Sequence, residues 1–118
     1  MVNFETYIMG QQVYANHCAE CHGENGQGQF PDAPMQPDST GRIGAPPHTS
    51  NGHTWHHGDG LLVRYVLEGG MGDPNRFYPM PAFGNVLSEE EVTAVIAYIK
   101  AFWSPEELAV QRERTLAE

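Results

Sequence analysis

Cys18-Ala19-Glu20-Cys21-His22 is the stretch on which the reading of this chain turns. Its two cysteines are the only two present, and their spacing admits four readings. Structural zinc asks for four ligands, commonly from two Cys pairs, and the second pair is missing. A redox-active C-x-x-C follows a strand in a βαβ unit, whereas this one closes a helical stretch without β-rich flanks. A disulfide across so short a loop would constrain little of the unfolded chain. The fourth reading, covalent attachment of haem c through C-x-x-C-H, also accounts for the histidine. Two thiols on one helical turn can add to the two vinyl groups at one edge of a porphyrin, and His22 is then carried beneath the iron as an axial nitrogen ligand.

The flanks of the pentapeptide are helical. Upstream, from about Asn3 to Cys18, Phe4, Tyr7, Ile8, Val13 and Tyr14 recur at three- and four-residue steps, with Asn3 as N-cap. Gly10 inside this helix costs roughly 0.5 to 1 kcal/mol relative to Ala, which asks for a packing reason such as close helix approach. Downstream, Ser88 and Glu91 form an S-x-x-E capping box, and Val92, Val95, Ile96, Ile99, Phe102 and Trp103 share one face of the helix that follows. Ser104-Pro105-Glu106-Glu107 restarts a helix that runs to about Leu116. A shorter helix, entered at Asp59 as N-cap, carries Leu61, Leu62, Tyr65 and Val66 and ends at Gly69-Gly70. No period-two strand run and no internal repeat appear.

With 118 residues the chain makes one domain. Its 13 Gly and 9 Pro fall mostly between Gly23 and Pro81, so a loop-rich middle needs a cofactor to organise it. The net charge of −9 argues against nucleic acid or anionic lipid and for a basic partner. The longest apolar run, Ala94 to Ile99, is far short of the roughly 20 residues of a membrane helix, so no membrane span is expected.

These residues resemble the class I monohaem c-type cytochromes of bacteria. Gly10-x-x-Val13-Tyr14-x-x-x-Cys18-x-x-Cys21-His22 is similar to the family's first helix and haem site. Tyr78-Pro79-Met80-Pro81-Ala82-Phe83, followed by Leu87-Ser88-Glu89-Glu90-Glu91-Val92, resembles its methionine loop and last helix. The resemblance implies an all-α cytochrome c fold over residues 3–103, in which the N- and C-terminal helices cross at Gly10 and Tyr98 around one covalently bound haem. Residues 104–118 depart from it as a C-terminal helical extension. It also makes the Pro46 carbonyl the acceptor of the His22 N–H, a bond that fixes the ring and raises its basicity, with Pro47 as the alternative.

Met80 is the candidate sixth ligand on chemistry too, because a thioether is a soft donor for haem iron and Pro79 and Pro81 stiffen its loop. Met71, between Gly70 and Gly72, is the alternative. The run His53-Thr54-Trp55-His56-His57 has two readings. Either its rings and the Trp55 indole N–H shield the haem edge and hydrogen-bond the propionates, or His53 and His57 share a helical face as a copper or zinc site. A further alternative puts one of these histidines on the iron. His17 is expected to face solvent.

The expected function is one-electron transfer between redox proteins through a haem edge near Cys18 and Cys21, with both axial positions filled and no substrate transformed. The partner is expected to present a basic docking face. The rivals are a haem enzyme or gas sensor with an open or labile sixth site, and a metal-handling module built on the His53 to His57 cluster. Thioether formation implies export, to a periplasmic or similar compartment, although Met1-Val2-Asn3 begins no signal peptide.

Overall fold

A computed structural model describes residues 3–70 and 73–118; Met71, the alternative ligand, lies outside them. Five α-helices are present among the described residues: α1 (Phe4–His17), α2 (Ala19–His22), α3 (Asp59–Glu68), α4 (Glu89–Ile99) and α5 (Pro105–Leu116). Two short 3-10 turns, Thr54–His56 and Lys100–Phe102, precede α3 and extend α4. The only β-type pairing among them is an isolated parallel bridge between Ile43 and Phe77. The fold is all-α.

The helix ends follow from local chemistry. Asn3 accepts the Thr6 N–H at 2.8 Å and starts α1. Both Ser88 with Glu91 and Ser104 with Glu107 form complete capping boxes, each serine accepting the N3 amide while the glutamate accepts the N-cap amide. The start of α3 differs from expectation: Gly58 is its N-cap, with no side chain to offer, and Asp59 is already helical.

α1 and α4 cross at Gly10. A Cβ there would lie 2.1 Å from the Ala94 carbonyl oxygen and 2.8 Å from the Tyr98 Cβ, so only glycine lets the backbones approach this closely. Val13 and Tyr14 are buried at the crossing, whereas Phe4, counted on the apolar face by spacing, is 76% exposed because it precedes the contact. The core joins Val13 and Tyr14 to Leu62 and Val66 of α3, Val92, Val95, Ile96 and Ile99 of α4, and Trp103. The ring of Tyr14 meets Tyr98, Phe102 and His48, and its hydroxyl donates to the Gly23 carbonyl at 2.7 Å.

The C-terminal extension is docked rather than free. Gln111 is only 2% exposed, and its Nε2 donates to the Asp59 carboxylate at 2.7 Å and to the His57 carbonyl at 3.1 Å. Lys100 Nζ meets the same carboxylate at 2.9 Å. α5 therefore packs against the Thr54–His56 turn and the start of α3.

Candidate functional site

Cys18, the residue linking α1 to α2, is buried, and Cys21 on α2 is exposed. Burial, reinforced by the nearby Cys21, pushes the Cys18 thiol up to about 11. A thiol held in that range is the opposite of the low-pKa thiolate of a redox C-x-x-C. One turn on, His22 is buried, and its Nδ1 donates to the Pro46 carbonyl at 2.8 Å. A carbonyl can only accept, so the proton sits on Nδ1 and Nε2 is left as the free lone pair. Burial lowers the His22 pKa, which keeps that lone pair unprotonated.

These residues open onto a cavity of about 540 Å³. That volume falls within the roughly 300 to 1,000 Å³ of small-molecule and cofactor sites. Cys18, Cys21, His22, Pro46 and Met80 all line it. Its apolar wall comes from Leu62 and Val66 of α3, Val95, Ile96 and Ile99 of α4, and Phe83. The i, i+3, i+4 spacing that made α4 legible as a helix thus also delivers one wall of the site.

Trp55 stacks on His56 with ring centroids 3.8 Å apart, beside rather than among the residues that line the cavity, and its Nε1 is buried without a hydrogen-bond partner within the polypeptide. An orphaned buried N–H costs free energy, about 1 to 3 kcal/mol, so a group absent from the polypeptide itself is the natural acceptor. His53 and His57 do line the cavity, but only a 3-10 turn separates them and no helical face is shared. Among the described residues no group of three or more His, Cys, Asp or Glu is arranged to hold a metal ion. His17 is exposed as expected, yet its ring lies 5.7 Å from that of Phe83 at the cavity rim.

His48 was not singled out by sequence. It stands apart from the His53 to His57 run, its ring centroid 4.2 Å from that of His22 and its Nδ1 2.7 Å from Thr54 Oγ1. Its one signal was position, directly after Pro46-Pro47, the turn that holds His22.

A largely apolar cavity, two thiols at one margin, a free imidazole nitrogen, a thioether and an orphaned N–H together fit a flat, mostly apolar ring with acidic substituents. The comparisons agree. Residues 8–103 match the family described as Cytochrome c. The chain is similar to the gluconate 2-dehydrogenase cytochrome c subunit of Pantoea cypripedii, at 34% identity over 80% of this chain and 20% of that protein. It is also similar to the cbb3-type cytochrome c oxidase subunit CcoP of Azospirillum brasilense, at 29% identity over 76% of this chain and 26% of that protein. The chain thus spans about a fifth to a quarter of the length of these relatives.

Proposed function

The chain belongs to the cytochrome c family, with haem c attached covalently through Cys18 and Cys21, and we propose that it is a one-electron carrier whose axial ligands are His22 and Met80. The observation that carries this reading is the meeting of Cys18, Cys21, His22 and Met80 on one cavity, with the His22 Nδ1 already engaged by Pro46. Haem supplies the one-electron couple; the polypeptide does the rest. The Pro46 carbonyl orients His22 and raises its basicity. The walls from α3 and α4 exclude water, and the low dielectric they create favours the less charged form of a redox centre. Trp55 Nε1 would donate to a propionate.

A thioether in the sixth position leaves no open site for a substrate, which favours a carrier over an enzyme or sensor. The partners of such a carrier are redox proteins, and the net charge of −9 favours one with a basic docking face. The need for thioether formation supports a location outside the cytoplasm, in a periplasmic or equivalent compartment.

Acid acetone should leave the haem on the polypeptide, with an intact mass one haem above that of the apo chain. Ferric protein should show the weak near-infrared charge-transfer band of thioether ligation, and ferrous protein should not bind carbon monoxide. Met80→Ala should remove the band and admit the gas. Carbon monoxide binding to the unaltered protein would instead support an enzyme or sensor, and a band that survives Met80→Ala but not Met71→Ala would move the ligand.

A further inference from the structure

The loop that carries Met80 is held from a distant part of the chain. Ile43 N donates to the Arg76 carbonyl at 2.7 Å and Tyr78 N to the Ile43 carbonyl at 3.0 Å, on either side of the Ile43 to Phe77 bridge. The Tyr78 hydroxyl donates to the Asp38 carboxylate. Arg42 spans the same junction, its guanidinium 5.7 Å from the centre of the Tyr78 ring and its Nε donating to the Pro74 carbonyl at 3.1 Å. Phe30 packs edge-on against Tyr78, with centroids 6.2 Å apart. The Thr40 hydroxyl, first, and the Tyr78 hydroxyl, second, hold the Asp38 carboxyl at about 2, so it stays an acceptor across the physiological range.

Pro79 and Pro81 limit the φ angles on either side of Met80 but have no N–H with which to tie the loop down. The tethers must therefore sit further out. On the C-terminal side the Met80 carbonyl accepts the Gly70 N–H at 3.0 Å, and Phe83 N donates to the Val66 carbonyl at 2.9 Å. On the N-terminal side the residue with both a backbone and a side-chain tether is Tyr78, two positions before the thioether.

We propose that Tyr78, clasped by Asp38 and Ile43, is the positioning residue that keeps the Met80 thioether in the sixth position. The proposal rests on the reading of Met80 as that ligand. An iron–thioether bond is weak, so the stability of the loop decides how readily another ligand displaces it. The clasp thus sets how closed the iron is, and with it how firmly the chain remains a carrier.

Imidazole binding to the ferric holoprotein, followed by loss of the near-infrared band, tests this in the wild type, Tyr78→Phe, Asp38→Asn and the double variant. Each single variant should bind imidazole about fivefold more tightly, which is about 1 kcal/mol at 1.4 kcal/mol per decade. The double variant should match the stronger single one, because both act on the same bond: phenylalanine lacks the hydroxyl donor, and the uncharged asparagine amide is a weaker acceptor for it than the carboxylate. Exchange of the Tyr78 amide proton should accelerate in step. Wild-type imidazole affinity in both single variants overturns the clasp even if their unfolding midpoints fall, since that pattern is structural only. Additive effects in the double variant overturn the Asp38 to Tyr78 contact as the agent. Failure of the ligand reading looks different: the band then survives Met80→Ala.

Discussion

Glu118 and Gly60 meet across 58 positions of sequence, Glu118 Oε1 accepting the Gly60 N–H at 2.9 Å while Oε2 accepts the Leu61 N–H at 3.0 Å. Thr115 Oγ1 accepts the Asp59 N–H at 3.0 Å. The N-cap of α3 is Gly58, which has no side chain, so Thr115 of α5 and Glu118 just beyond it supply the acceptors that a serine or aspartate would normally provide. A carboxylate also suits the positive end of the helix dipole.

Removing this distant cap should cost what a local cap does. Glu118→Ala is expected to lower stability by about 1 kcal/mol, with haem content unchanged. Gly58→Ser places a Cβ 2.6 Å from Glu118 Cδ, at the mobile end of that side chain, so it exchanges one cap for another. It should be near neutral alone and should restore about 1 kcal/mol in the Glu118→Ala background. Denaturant midpoints of the four proteins check both; a local serine that helps equally in both backgrounds would contradict the shared role.

Gly10→Ala sets helix propensity against packing. Alanine gains up to about 1 kcal/mol as a helix former, but its Cβ would sit 2.1 Å from a backbone oxygen that cannot swing aside. The clash should win, with a net loss of about 1 to 3 kcal/mol in equilibrium unfolding.

Trp55→Phe keeps an aromatic ring against His56 and deletes one N–H. With a haem propionate as acceptor, the holoprotein should lose about 1 to 2 kcal/mol and change its reduction potential. If the N–H has no partner even in the holoprotein, the variant should be as stable as wild type or more so, at an unchanged potential.

Burial, first, and the electrostatic influence of the neighbouring His22 ring, second, hold the His48 pKa well below the usual histidine value. The native state therefore resists protonation there while the unfolded chain takes up a proton near about 6.5. Stability is unaffected by this group above that pH and falls as pH drops below it, since the unfolded state then binds more protons. Proton resonances of the His48 ring should show no titration near 6.5, and unfolding midpoints should decline from about pH 6.5 downward.

Charge steers encounters within about 8 Å of Debye screening at physiological salt. Reduction by a basic redox protein should slow as salt rises, and reduction by an acidic one should quicken, because transient electron-transfer contacts depend on steering more than on buried area. Stopped-flow rates over a salt series measure both. Flat dependence for the two would show docking through the apolar rim near Phe83 and His17.

The sequence by itself determined the helices and the attachment point. Capping chemistry and apolar period are local properties, so α1, α4 and α5 were legible from Asn3, Ser88, Ser104 and the residues that follow them, and Cys18, Cys21 and His22 are bound to one another by covalent spacing alone. The tertiary structure decided everything that depends on which distant groups meet. Asp59 was mistaken for a cap because nothing local shows that the first amides of α3, at Gly60 and Leu61, are served by Glu118 beyond the end of α5. Nothing local shows that the Trp55 ring stacks on His56 and leaves its N–H buried and unpaired. The same limit hid His48 against His22 and Asp38 against Tyr78. Hydrogen bonds and ring contacts across 26 and 40 positions require the loop-rich middle to be folded on the α1 to α4 crossing first. In a stretch without periodic side chains, no local rule encodes that closure.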